Sequence, residues 1–191
     1  MTSRALLLSH ASTRATAAAA FPADDPLEPR GQAAAVAARA LLPRADHVLR
    51  APDRACHETC TALGLDADPD DRLRGWDLGP WAGHTLDEVA AARSADVHAW
   101  LTDPAAAPHG GESLDALLAR VAGWLAAPPP GRALVVCGPA VVRAVVVTVL
   151  GAPTAAFWRI DVAPLSATDL RGGPERWTLR ATGAPLPGPD K

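Results

Sequence analysis

The sequence predicts a three-layer α/β fold, an αβα sandwich around a mostly parallel central sheet. Two short runs, Arg4 to Ser9 and Ala133 to Cys137, are apolar without polar alternation, as strands buried on both faces must be. Helical stretches separate the strand-like runs, and alternating strands and helices favour a parallel sheet covered on both sides.

The elements follow in chain order. Arg4 to Ser9 is the first central strand. Gln32 to Leu42 reads as a helix and leads into a weaker strand, His47 to Arg50, which ends at Pro52. Further helices are predicted over Arg54 to Leu63, Leu86 to Ala92, Ser113 to Ala126 (leucines at 114, 117, 118 and 125) and Ala140 to Leu150. Ala133 to Cys137 is the second central strand, stopped by Gly138-Pro139. Trp158 to Leu170 and Trp177 to Ala181 alternate like one or two edge strands. One domain is expected over residues 1–182, followed by a flexible Pro/Gly-rich tail over 183–191.

Composition narrows the partners. A chain of 191 residues, 49% apolar and 20% charged, can bury one full core. A net charge of −3 offers no basic stripe for nucleic-acid phosphates. The longest apolar run, Ala133 to Leu150, is interrupted by Cys137-Gly138-Pro139 and Arg143, which excludes a spanning helix. Ser9-His10 cuts the opening apolar stretch short of a secretory leader, and three cysteines fit reduced thiols better than a disulfide framework. These features predict a cytoplasmic protein whose partner is neither nucleic acid nor membrane; a homo-oligomer is compatible with them.

Sites in parallel sheets form beyond the carboxyl ends of the strands, where helix N-termini also point free N–H groups. Three segments occupy such places: Ser9-His10-Ala11-Ser12-Thr13, Ala51-Pro52-Asp53-Arg54-Ala55 and Cys137-Gly138-Pro139-Ala140. They resemble the histidine phosphatase superfamily. Its members carry Arg-His-Gly after the first strand, Ser-Pro-x-x-Arg-Ala-x-x-Thr after the second, and a second His followed by Gly after a later strand. Here Leu6-Leu7-Leu8-Ser9-His10, the run Ala51 to Thr59 and the run Val135 to Ala144 take those places. Leu73 to Gly83 is similar to the family's Leu-x-Glu-x-x-x-Gly-x-Trp-x-Gly loop, and Gly110-Gly111-Glu112-Ser113 to its Gly-Glu-Ser turn. Five segments in one order, across residues 4–151, imply a phosphoglycerate mutase-like fold.

In that family the first His becomes phosphohistidine, cationic groups neutralise the phosphoryl oxygens and an acid protonates the leaving alcohol. The resemblance implies His10 as nucleophile and Arg54 as anion ligand, with Ser9, Thr13, Trp76, Glu112 and Gly138 lining the ligand pocket. Three substitutions stand against phosphoryl transfer: Ser9 where the motif has Arg, Gly138 where it has the second His, and Gly75 where many members carry the acid Glu. Each deletes charge or a proton donor. The expectation is therefore a divergent member that binds or transforms a small anionic metabolite, with weak or no phosphomonoesterase activity and no cofactor.

Two alternatives stay open. A working phosphomonoesterase would use His10 with replacement partners such as Arg14, Asp77 or His109. A metal-handling or protein-interaction module would draw on Cys56, His57 and Cys60 with His10 or Cys137, although no second Cys-x-x-Cys supports a metal; no metal ligand is assigned.

Overall fold

The computed structural model describes residues 3–186 and 188. Six strands, β1 (Ser3–Ser9), β2 (His47–Arg50), β3 (Asp68–Pro69), β4 (Arg132–Cys137), β5 (Ala167–Gly173) and β6 (Arg176–Ala184), form one sheet in the order β3-β2-β4-β1-β5-β6. β1, β2, β3 and β4 pair in parallel, whereas β5 and β6 are antiparallel additions. The mostly parallel αβα sandwich is thus the observed architecture. β4 and β1 lie at its centre, and Leu7, Leu8, Val135, Val136 and Cys137 are fully buried.

Among the described residues six α-helices connect the strands: α1 (Arg14–Ala18), α2 (Pro29–Ala38), α3 (Arg54–Leu63), α4 (Leu86–Thr102), α5 (Leu114–Ala126) and α6 (Pro139–Leu150). α2 packs on α3 and α5 on α6, giving the two helical layers that flank the sheet. The α2 contact is close: a Cβ on Gly31 would lie 2.4 Å from the Ser12 carbonyl oxygen. Only glycine lets this helix press on the loop that carries His10.

Two expectations are corrected. The helix begun at Leu86 does not end at Ala92 but continues to Thr102, bent at Arg93 (φ −144°, ψ 54°). Its polar stretch Arg93 to Asp96 hides the continuation, which Val97 and Trp100 secure by packing beside Leu78, Trp81 and Val89 in a second apolar cluster. Trp158 starts no strand, because it lies in the 3₁₀ segment Thr154–Arg159 and packs among aromatic rings; β5 begins only at Ala167, and β6 forms the edge on that side of the sheet. β6 runs on through Gly183 and Ala184, and Leu186 is buried. Of the expected tail, residues 187 and 189–191 lie outside the described residues.

Candidate functional site

The parallel register of β1 and β4 brings two of the three motif segments together. Ser9 stands beside Cys137, and the His10 amide donates to the Cys137 carbonyl oxygen at 3.1 Å, placing His10 next to Gly138 at the carboxyl edge of the sheet. The third segment joins through α3. Thr59 Oγ1 donates to the Ala55 carbonyl oxygen at 2.7 Å and accepts from the Ala11 amide at 3.0 Å, tying α3 to the residue after His10.

The His10 ring is almost fully buried. Its Nδ1 lies 2.8 Å from the Ala11 carbonyl oxygen, and a carbonyl can only accept, so Nδ1 carries the proton. In the neutral ring the lone pair then sits on Nε2, the state a nucleophile requires. Burial pulls the His10 pKa below its ordinary 6.5, opposed by the Ala11 hydrogen bond and then by the negative charge of Asp53. The imidazole is held neutral and in one tautomer.

Among the described residues no hydrogen bond or ion pair joins the His10 ring to a cation, although the charge of Arg50 acts on the neighbouring Cys56. Ser9 is fully buried and donates to the Ala163 carbonyl oxygen at 2.9 Å. The Arg54 guanidinium is exposed, and its Nε lies 2.7 Å from Glu58 Oε1, whose carboxylate also accepts from the Leu27 amide at 2.8 Å. Among the described residues no hydrogen bond or ion pair links Arg54 to the His10 loop. Arg14 is exposed, while His109 lies against Trp81 in the second cluster, with ring centroids 5.2 Å apart.

Gly138 begins α6 in an extended conformation (φ −77°, ψ 160°) with Pro139 as the first helical residue, where its missing N–H leaves no bond unmade. Pro139 therefore does not distort the turn. It does remove one donor from a helix end that would otherwise face an anion.

Gly75 shows the clearest departure from the family pattern. Its amide donates to both oxygens of Asp53, at 3.1 and 2.9 Å, and a Cβ at Gly75 would lie 2.7 Å from Asp53 Oδ1. The carboxylate of Asp53 stands where a side chain at 75 would begin. Asp53 sits inside the second quoted motif, yet its motif position is variable and so gave no signal; the informative sign was glycine at 75, which leaves room for a group from elsewhere.

The other predicted lining residues are engaged in structure. Thr13 is buried and caps α1 by accepting from the Thr16 amide at 3.2 Å. Trp76 Nε1 donates to the Glu112 carbonyl oxygen at 2.7 Å, and its ring stacks on Trp100. Glu112 gives both carboxylate oxygens to Arg120, at 2.7 and 2.6 Å, and one to Arg74 at 3.3 Å. Arg120 in turn donates to the carbonyl oxygens of Arg72 and Arg74, each at 2.9 Å, and of Gly75 at 3.4 Å. Glu112 thus sets the loop that delivers the Gly75 amide to Asp53, a role its place in the Gly-Glu-Ser turn could not reveal without Arg120.

The three thiols are buried and free, and burial raises their pKa values: that of Cys60 to about 12, those of Cys56 and Cys137 with Asp53 adding to the rise. His57 is exposed on the other side of α3. Among the described residues no group of three His, Cys, Asp or Glu side chains is placed to hold a metal ion.

His109 is also held below its ordinary 6.5 by burial, opposed by Asp77. With two histidines depressed, the unfolded chain binds more protons than the folded one below about pH 6.5, so stability is complete above that value and falls as the pH drops. The melting temperature is expected to fall between about pH 7.5 and about pH 5.5, and to fall less in His109→Asn. A pH-independent melting temperature over that span contradicts neutral burial of these rings.

Comparisons with known proteins agree with this fold. The model of the histidine phosphatase superfamily (branch 1) matches residues 5–185. A bifunctional protein of Mycobacterium tuberculosis is 48% identical over 61 residues, 31% of this chain and 16% of that protein. A glucosyl-3-phosphoglycerate phosphatase of Mycolicibacterium vanbaalenii is 36% identical over 118 residues, 58% of this chain and 52% of the relative. The chain thus spans about half or less of these curated relatives. Among solved structures, a mycobacterial glucosyl-3-phosphoglycerate phosphatase superposes with a TM-score of 0.80 at 26% identity, over 96% of this chain and 100% of that one. A putative alpha-ribazole-5'-P phosphatase from Escherichia coli reaches 0.86 at 23% identity, over 97% and 98%, a likeness of fold. No helix among the described residues is long and apolar enough to cross a membrane.

Proposed function

The chain belongs to the histidine phosphatase superfamily, branch 1, and from that premise we propose that it is a divergent member that binds or transforms a small metabolite at His10, with weak or no phosphomonoesterase activity. One observation carries this reading: the guanidinium of Arg54, the cation expected to hold the phosphoryl group, is exposed and paired with Glu58 at 2.7 Å. A phosphoryl transition state spreads negative charge over its oxygens, and each missing preorganised donor costs on the order of 10²- to 10³-fold in rate. Ser9, Gly75 and Gly138 supply neither cation nor side-chain acid. The names of the relatives point to phosphate esters; this pocket supports slow turnover of such substrates.

Hydrolysis of p-nitrophenyl phosphate between about pH 5 and pH 7 is expected to stay barely above background and to be unchanged in His10→Ala. Robust hydrolysis abolished by that substitution would replace the reading with a second one, a working phosphomonoesterase. That second reading rests on the His10 ring itself, whose fixed tautomer leaves Nε2 able to attack phosphorus. Trapping of phosphohistidine on His10 after brief exposure to substrate separates the two.

A further inference from the structure

Arg143 lies on α6, one helical turn after Pro139 opens that helix beside His10. Side chains on a helix lean toward its N-terminus, so the long Arg143 side chain is directed back along α6, toward Gly138 and the carboxyl edge of the sheet. Its Nε donates to the Ile160 carbonyl oxygen at 2.8 Å, and its guanidinium lies over the Phe157 ring, 5.8 Å from the centroid. Ile160 opens the segment that closes against His10. In that segment the Ala163 carbonyl oxygen accepts from the Ser9 and Ser166 hydroxyls at 2.9 and 2.7 Å, and the Leu165 amide donates to the Ser9 and His10 carbonyl oxygens at 3.2 and 3.4 Å. Leu165 holds φ at 56°, a left-handed conformation that is costly for a bulky side chain. The segment that fixes Arg143 is thus held against strain beside His10.

Arg143 stands out by its charge. Of the partly buried arginines, Arg4, Arg72 and Arg120 pair with Asp169, Asp70 and Glu112. Arg50 and Arg143 meet no carboxylate among the described residues. Arg50 turns its Nη1 back to the Ala51 carbonyl oxygen at 3.1 Å, at the end of β2, with β4 between it and β1. Arg143 uses only Nε; its outer nitrogens, Nη1 and Nη2, find no acceptor among the described residues and open to solvent. A guanidinium cannot shed its charge. Burial acts against that charge, while the exposed Asp161, outside ion-pair reach, acts for it. The other carboxylate near the pocket, Asp53, is engaged by the Gly75 amide. Space adjoins the base of α6: a Cβ at Gly138 would meet nothing within 4 Å.

We propose that Arg143 is a ligand-binding residue of the His10 pocket: the open end of its guanidinium takes both oxygens of a carboxylate, and the body of that ligand fills the space at Gly138. This rests on the reading of the chain as a divergent binder at His10 and names the class of ligand, a small carboxylate. With Nε engaged, Nη1 and Nη2 form a two-donor end that matches the two oxygens of a carboxylate and balances its one charge. A phosphoryl dianion in the same place would keep a second charge with no cation bonded to it, in keeping with weak phosphomonoesterase activity.

The test uses the full chain with acetate, acetamide and inorganic phosphate as probes, followed through the His10 ring resonances. In wild type, acetate is expected to bind tighter than acetamide, its neutral isostere, and tighter than phosphate, by on the order of tenfold, the scale of one charge-assisted hydrogen bond. Arg143→Gln should weaken acetate binding by a similar factor and leave acetamide binding in place, because the space at Gly138 is kept. Arg143→Lys, which keeps the charge without the fork, should fall between them. The wild-type comparison of acetate with acetamide decides by itself if Arg143→Gln folds poorly. Equal affinity for those two probes, acetate binding undiminished in folded Arg143→Gln, or acetate binding that leaves the His10 ring unmoved overturns the proposal, and none of these outcomes touches the reading of a weak phosphatase. Phosphate bound tighter than acetate, with hydrolysis of phosphate esters that His10→Ala abolishes, overturns both.

Discussion

Glu112→Ala lowers the melting temperature by roughly 6–20 °C, the product of about 3–5 kcal/mol for breaking a buried ion pair and about 2–4 °C per kcal/mol in a domain of this size. The expectation follows from burial and from the number of groups that share the pair. The side chains of Glu112 and Arg120 are 7% and 9% exposed, and their two oxygens and two nitrogens meet at 2.7 and 2.6 Å. Removing the carboxylate strands a guanidinium that cannot shed its charge. Its remaining bonds, to the carbonyl oxygens of Arg72, Arg74 and Gly75, are to neutral acceptors. Replacing both partners, Glu112→Leu with Arg120→Leu, should cost less than Glu112→Ala alone, because no charge is then left unpaired. Thermal unfolding of the three proteins decides it; a single variant within about 1 kcal/mol of wild type would show that the pair is solvated in solution.

The same network explains which parts of the molecule could be read in the sequence. The central strands were legible because β1 and β4 are buried on both faces and carry unbroken apolar side chains, and α3 because its apolar positions recur at helical spacing. α4 was legible only as far as Ala92. Beyond it, Arg93 and Asp96 pair with each other across the bend at 3.7 Å, and the apolar residues that hold the helix face aromatic rings contributed by distant segments. The site divides in the same manner. His10, Ser9 and Gly138 come together through the β1–β4 register, a property of neighbouring strands that short motifs encode. Asp53 before α3, Gly75 on its loop and Arg120 within α5 meet from three separate parts of the chain, and their relation depends on where a carboxylate turns, which no spacing specifies. Arg54 illustrates the converse: counted from Ala51 to Thr59 the motif's arginine falls on Ala55, so Arg54 stands one residue before it, and Glu58, one helical turn on, holds its guanidinium.

The largest effect on the site itself is expected when the family's residues are put back together. Ser9→Arg, Gly75→Glu and Gly138→His meet very different surroundings. A Cβ at Gly138 touches nothing within 4 Å, and the backbone there (φ −77°, ψ 160°) suits any residue. Gly138→His alone should therefore fold with wild-type stability to within about 1 kcal/mol. Gly75→Glu is opposed twice. Its Cβ would lie 2.7 Å from Asp53 Oδ1, and its carboxylate would add a second negative charge beside the first. Ser9→Arg places a long cation at a fully buried position now satisfied by one carbonyl oxygen at 2.9 Å. The triple variant should consequently lose several kcal/mol of stability, the scale of a buried charge without full pairing, and should gain no phosphatase activity. Adding Asp53→Ala to it should recover part of the lost stability, because it removes both the clash and the repulsion at Gly75. Denaturant unfolding of the single, triple and quadruple variants, each assayed for phosphate release, separates a rebuilt pocket from a merely depleted one. A triple variant as stable as wild type that hydrolyses phosphate esters through His10 would mean that the pocket had only lost residues, and that Asp53 yields its place to an introduced glutamate without resistance.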